Sequence, residues 1–293
     1  ETSAFTPSAS TCSANKLTTK TSSTSLSSWA EGGDNTRGNG NTPFYAQAPG
    51  ALAEVSDDGF FEIFPNYDSF ETIEGQGTVR TYAIPEWATR VQMKLKTNGR
   101  PMKGEVNLWL GPERKTHTLK VENESGAEFP VEALLKFKKG PPILKISTTG
   151  NANLPMQVGV HVPSPERAAE LEANTEKVFD EAVLGDNKQR IQGGSTNGKH
   201  GAWVYYNVPA DVDSVQLLGW SKDSGKKSFK ANIELLQGPN NLKQSYFLQC
   251  GGGSQPYHAV YQTPGPGWVV RIQNKKFMED GLVDIAVVPY KKG

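Results

Sequence analysis

Cysteine is nearly missing from this chain. Cys12 and Cys250 are the only two among 293 residues, too few for a disulfide framework, so the fold stands without staples and suits a reducing compartment. Long apolar runs are missing too. Nowhere do about 20 consecutive apolar residues occur, the length a membrane-spanning helix needs. Nor is there an excess of either charge: 31 Lys plus Arg balance 31 Asp plus Glu, for a formal net charge of zero. A nucleic-acid partner would need a basic face to displace counterions from phosphates, so none is expected. Neutrality also removes the self-repulsion that keeps copies apart, which favours association.

The residues of catalysis are sparse and badly spaced. The four histidines, His117, His161, His200 and His258, form no HExxH or other metal spacing, and no cysteine pair accompanies them. There is no Gly-x-Ser-x-Gly elbow. Gly251 to Gly253 lacks the Gly-Lys-Ser/Thr that would cradle phosphate and reads as a hairpin loop. Asp57-Asp58 and Asp211 with Asp213 sit in turns, where acidic residues are usually solvated. The expectation is a non-enzyme with no catalytic residue, metal ligand or cofactor. An enzyme whose site is assembled across the fold stays open, because carboxylate separation is a property of the fold.

What the chain does have is a stretch that occurs twice. Gly77 to Pro163 and Gly201 to Pro289 register at an offset of 124 in their first third, with Tyr82 on Tyr206, Pro85 on Pro209, Val91 on Val215 and Gln92 on Gln216. The offset becomes 127 at Gly111-Pro112 and Gly238-Pro239, then 126 at Pro130 with Pro256 and Ile146 with Ile272. So long a period marks a domain-sized unit rather than a solenoid repeat. Each unit shows about seven short strands with turn residues between them, the spacing of a β-sandwich. The expected fold is all-β: two tandem, internally duplicated β-sandwich domains, 60–163 and 191–293, joined by a short α-helix within 164–190.

Arg90 to Lys96 is the clearest strand, with Val91, Met93 and Leu95 alternating against charged or polar neighbours. Its outward Lys94 and Lys96 become Leu218 and Trp220 in the second copy. On the next strand Val106 and Leu108 match Ile233 and Leu235 inside, with Trp109 and Leu236 outside. Repeated outward apolar groups form a patch, and patches mark contacts. These six residues are therefore candidates for a self-assembly interface, unless the connecting helix or the N-terminal arm covers them. For the last strand, apolar alternation pairs Val158, Val160 and Val162 with Val283, Ile285 and Val287, one residue away from the Pro163–Pro289 alignment. The helix is predicted over Ser164 to Leu184. Ser164 caps it, Pro165 opens it, Leu171, Val178, Phe179 and Ala182 share a stripe, and Gly185 stops it.

Ahead of the repeats the composition changes. Residues 2–28 hold 16 Ser or Thr, two Lys and no acidic residue, which reads as a disordered, transit-type leader over 1–29. Residues 30–59 form a Gly- and Asn-rich arm, and Phe44-Tyr45 within it is a further candidate to contact a neighbouring copy. Phe60, Phe61, Ile63, Phe64, Tyr67 and Phe70 then crowd together, a patch expected to pack onto the following domain, and Pro65 breaks any helix there.

Taken together, the tandem "YAIP…VQMKL" and "YYNVP…VQLLGW" units and the helical connector resemble the pyrenoid shell proteins of diatoms over roughly residues 60 to 290. Ser3-Ala4-Phe5 with Pro7 is similar to the cleavage motif of plastid leaders in such algae, with Thr2 a departure from it. The resemblance implies a non-enzymatic protein of the plastid stroma at the pyrenoid periphery. Its partner would be itself, in a sheet-like shell around Rubisco that supports CO2 fixation, with Rubisco or other pyrenoid proteins as further partners. The alternative is a carbohydrate- or ligand-binding double β-sandwich using some of the six tryptophans. Against it, the copies disagree: Trp203 faces Val79, Trp220 faces Lys96 and Trp268 falls near Pro142.

Overall fold

The structure, a computed structural model, describes residues 61–112, 114–137, 140, 142–150, 153–183, 188–192, 203–220, 228–251, 256–275 and 282–292. The first half contributes β1 (Glu71–Ile73), β2 (Val79–Ala83), β3 (Arg90–Lys96), β4 (Met102–Leu110), β5 (Arg114–Asn123), β6 (Val131–Lys136), β7 (Pro142–Thr148) and β8 (Met156–His161). Helix α1 (Pro165–Val183) follows. The second half adds β9 (Lys188–Gln192), β10 (Trp203–Asn207), β11 (Val212–Trp220), β12 (Phe229–Gln237), β13 (Leu242–Cys250), β14 (Tyr257–Gln262), β15 (Trp268–Asn274) and β16 (Leu282–Lys292). Among the described residues each half thus holds eight strands, one more than the spacing predicts. The period-2 alternation places Val91, Met93, Leu95, Val106, Leu108, Ile233 and Leu235 inside, all fully buried. The β4–β5 and β12–β13 hairpins turn at Gly111 and Gly238, whose φ angles of 70° and 76° lie in the left-handed region that favours glycine.

All strand pairs are antiparallel, and they form two eight-stranded sheets. One runs β1-β8-β3-β6-β14-β11-β16-β9 and the other β10-β15-β12-β13-β5-β4-β7-β2. This departs from the expected pair of separate sandwiches, because both sheets pass through both halves. The reason lies at the seam. Strands β6 and β14, and β5 and β13, would be open edges in isolated units, and here each pair closes the other's backbone groups. Read inward from either end, the strand order is the same once each strand is replaced by its repeat counterpart. The ladders have the same symmetry. Ala133 pairs directly with Ala259, its counterpart at offset 126, and Lys120 with Phe247, at offset 127. A two-fold relation therefore passes through these two pairs.

One continuous core lies between the sheets, with residues of both halves in it. At the seam Tyr246 stacks on Tyr261 at 4.5 Å, and the Tyr257 and Tyr261 hydroxyls meet at 2.8 Å. Trp268 meets Phe129 edge-on at 5.5 Å.

The outer face of the first sheet is covered by α1 and by residues 61–70. Helix α1 starts as predicted, with the Arg167 N–H donating to the Ser164 hydroxyl at 3.2 Å. Its stripe buries Leu171, Phe179 and Ala182, and Ala168 and Thr175 lie on the same side. Toward its C-terminus Phe179 packs on Trp220, ring centres 5.1 Å apart, over Leu218 and Ala286. Near its N-terminus Leu171 packs on Leu134 and Val260 together with Ile63 and Phe64. Glu172 ties the helix to the first half through Arg90, at 3.2 Å, and Lys136. The aromatic segment packs on the sheet as its sequence suggests. The Ile63 N–H donates to the Tyr290 hydroxyl at 3.0 Å and the Ile63 carbonyl accepts from Gln92. Phe60 and Gly185 lie outside the described residues.

The last strand follows the apolar alternation but not the expected partners. Leu95 pairs with Val158 and Gly219 with Ile285, which makes Val158 the counterpart of Ile285 and Val160 of Val287. The parity is as expected and the position is two residues further on. The prolines mislead because they do different things. Pro163 lies beyond the end of β8, whereas Pro289 sits inside β16 opposite Val215, beside a ladder irregularity.

Candidate assembly surfaces

The structure divides the sequence-predicted contact residues among three places. Leu218 and Trp220 face outward from the first sheet, yet only 1% and 9% of their surface is exposed, because α1 lies on them. The helix was the competing occupant of this face, and it leaves these two side chains to internal packing. Lys94 pairs with Glu132 at 2.8 Å, and the Lys96 ammonium sits 3.6 Å from the centre of the Phe70 ring. Both are therefore engaged by the chain itself. Trp109 and Leu236 stand on the outer face of the second sheet, Trp109 half-buried beneath Lys115 and Leu236 buried. Phe44 and Tyr45 lie outside the described residues.

The second sheet is different, since the described helix lies on the first. Its outer face is a mosaic of charges that neutralise one another, including Lys103 with Glu122, Lys120 with Glu105 and Arg271 with Glu234. Its two ends are β2 and β10, which are counterparts. In the β2–β7 ladder Thr148 donates to the Thr78 carbonyl and Ile84 to that of Pro142, so the even-numbered residues bond inward. By the antiparallel alternation, Val79, Thr81 and Ala83 present their N–H and C=O groups outward. In β10, Val208 donates to the Trp268 carbonyl, so Trp203, Tyr205 and Asn207 do the same. Their side chains also lie on the outer face, with Val79 40% and Tyr205 59% exposed. Among the described residues no strand pairs with either edge.

Burial holds two titratable side chains neutral. His258, beneath α1, faces Gln216 Oε1 through Nε2 at 3.1 Å and the Thr175 hydroxyl through Nδ1 at 3.2 Å. Burial pushes its imidazole down to about 3. A neutral ring carries one N–H, and Nε2–H donates to Gln216 Oε1, whereas the Thr175 hydroxyl donates to the Leu171 carbonyl at 2.7 Å. Burial pushes the Cys250 thiol up, which removes its nucleophilicity. Among the described residues no group of three His, Cys, Asp or Glu is placed to hold a metal ion. Nor is any described helix long and apolar enough to cross a membrane. A polar hollow of about 360 Å³ under the aromatic segment is lined by Lys94, Lys96, Glu132 and Tyr290, all engaged as described or within it.

Residues 65–289 match the family described as "Diatom pyrenoid shell protein". The chain belongs to this family. Among curated proteins none matches. Similarity to solved structures is slight. An uncharacterized protein from Burkholderia cenocepacia is 11% identical, with 73% of this chain and 77% of that one covered, at a TM-score of 0.24. The VP2 subviral particle of infectious bursal disease virus is 10% identical over 73% of this chain and 65% of that one, at a TM-score of 0.12. Neither likeness carries an argument about fold or function.

Within the pyrenoid shell family match lie both edge strands, which sequence reasoning passed over as contact sites. The signal was present in the unequal counterparts Val79 with Trp203 and Thr81 with Tyr205. It was weak because five residues of mixed character show no clean alternation. Among the described residues the tryptophans are dispersed: Trp268 is in the core, Trp220 lies under the helix, and Trp203 is beneath Arg271 at 5.0 Å.

Proposed function

We propose that this chain is a structural protein that self-assembles into a sheet-like shell enclosing the Rubisco-containing pyrenoid of a plastid, where it supports CO2 fixation. The family match across residues 65–289 carries this reading. Three further features agree with it. The net charge of zero sets no barrier to close packing of copies. The strand order repeats about a two-fold relation, which supports descent of the halves, 60–163 and 191–293, from one duplicated unit joined by the 164–190 connector. The counterpart surfaces have diverged, so the contacts each half makes need not be self-complementary, and such contacts propagate into arrays instead of closing.

Electron microscopy of the purified protein tests the assembly. Extended sheets or very large particles at neutral pH are expected. A monodisperse particle of one chain's mass across all concentrations overturns the reading. Fluorescent tagging in a diatom tests the location, with a continuous signal around the Rubisco body expected and a diffuse stromal signal counting against it.

A further inference from the structure

We infer that the β2 edge of one copy pairs with the β10 edge of the next, so that the second sheet runs on from chain to chain. The inference rests on the assembly reading above and names the contact for one direction of the sheet.

Each edge offers three N–H and three C=O groups pointing away from the molecule, from Val79, Thr81 and Ala83 on one side and Trp203, Tyr205 and Asn207 on the other. Unpaired edges invite pairing with another chain, and proteins usually blunt them with Lys, Pro, bulges or very short strands. The first sheet's β1 edge is blunted in this way, being three residues long. The β2 and β10 edges are five residues each, contain no Lys or Pro, and pair inward with no register shift. The single charge, Arg80, is neutralised by Glu71 at 2.8 Å. Its Nη1 reaches the Val79 carbonyl at 3.3 Å in an exposed, long contact that yields readily to a ladder bond.

Direction and shape select the second copy as occupant. The sheet holds eight antiparallel strands, so its first and last run in opposite directions. A copy shifted sideways therefore sets β10 antiparallel to β2, with the alternation unbroken. In the register that forms all three hydrogen-bonded pairs, Ala83 opposes Trp203, Thr81 opposes Tyr205 and Val79 opposes Asn207. In two of the three pairs a small side chain on one edge meets a large aromatic one on the other. Like edges fit less well: β10 on β10 stacks Tyr205 on itself, and β2 on β2 brings only Val79, Thr81 and Ala83 together. A contact between unlike edges is heterologous, and heterologous contacts continue.

Proline at an outward-facing position of an edge strand removes a donor the fold does not use and blocks pairing. Thr81→Pro and Tyr205→Pro should each keep the wild-type circular dichroism spectrum and lose two-dimensional arrays in micrographs. Mixed, the two should join two by two along this direction and no further, since one retains its β10 edge and the other its β2 edge. Arrays that persist in both variants overturn the inference while leaving assembly intact, and so does dimerisation of Thr81→Pro alone, which points to β10 on β10. A wild-type chain that stays monomeric overturns the assembly reading itself. Should either proline variant fail to fold, Thr81→Cys with Tyr205→Cys in a Cys12→Ser background decides the matter. Hydrogen-bonded partners lie about 5.5 Å apart at Cα, within disulfide reach. Oxidised arrays should give a ladder of chain multiples on a non-reducing gel. Single-chain bands alone, the result if a segment of the same chain occupied either edge, overturn the proposal.

Discussion

At the seam, Tyr257 and Tyr261 keep two hydroxyls in an otherwise apolar interior by bonding to each other at 2.8 Å, while Tyr246 turns its own hydroxyl to Gln244 at 2.7 Å. Burial pushes all three phenols up, so they stay neutral. Tyr261→Phe leaves the Tyr257 hydroxyl without that partner and should cost about 1–3 kcal/mol in chemical denaturation. The double Tyr257→Phe, Tyr261→Phe variant removes both polar groups and should cost less than the sum of the singles. Strict additivity would show that the two hydroxyls do not depend on each other. His258 sets a second residue-scale expectation. Its folded value of about 3 lies below the ordinary 6.5, so the unfolded chain binds the proton more readily. Stability is then complete above pH 6.5 and falls as the pH drops toward 3. His161 is also lowered by burial and contributes with the same sign. Between pH 7 and 5, His258→Gln should flatten the decline of Tm relative to wild type. An unchanged slope would remove His258 from the account.

The elements over the first sheet depend on small residues beneath large ones. A Cβ on Gly159 would lie 2.6 Å from Tyr67 Cδ1, so the ring can rest on β8 only because that position is glycine. Its counterpart at offset 127 is Ala286, under α1. Gly159→Ala should lift the 61–70 segment, at a cost of about 1–3 kcal/mol, and limited proteolysis should then cut within that segment sooner. Wild-type cleavage kinetics would mean the ring shifts freely. On the helix side, Trp220→Ala empties the seat of Phe179 and should cost about 3 kcal/mol, read as a lowered Tm. Strand alternation, the hairpin glycines and the capped helix stripe were all legible in the sequence, because each depends on neighbours a few residues apart. What lay on the outward Leu218 and Trp220 was not, because an apolar outward position looks the same under a helix of its own chain or under another molecule. The edges were harder still, since what marks Val79 or Tyr205 is the direction of a backbone group, and no side-chain pattern records it.

Across the whole molecule, the seam determines what the halves can do alone. Periodicity predicts two units and is silent on the sheets that run through both, because ladders between β5 and β13 or β6 and β14 join residues more than a hundred positions apart. A half expressed by itself exposes those strands, and the two-fold relation through Ala133–Ala259 and Lys120–Phe247 lets it pair with a second copy of itself. The outcomes differ by half. Two copies of 60–163 would set Lys120 against Lys120, a like-charge pair at the centre of the ladder, which is destabilising. Two copies of 191–293 would set Phe247 against Phe247, an aromatic cross-strand pair that favours association. Light scattering after size-exclusion chromatography should therefore find the second half as a dimer, the first half poorly folded or aggregated, and the co-expressed halves as a 1:1 pair. A stable folded monomer of either half would show that its seam edges are not needed to complete the sandwich.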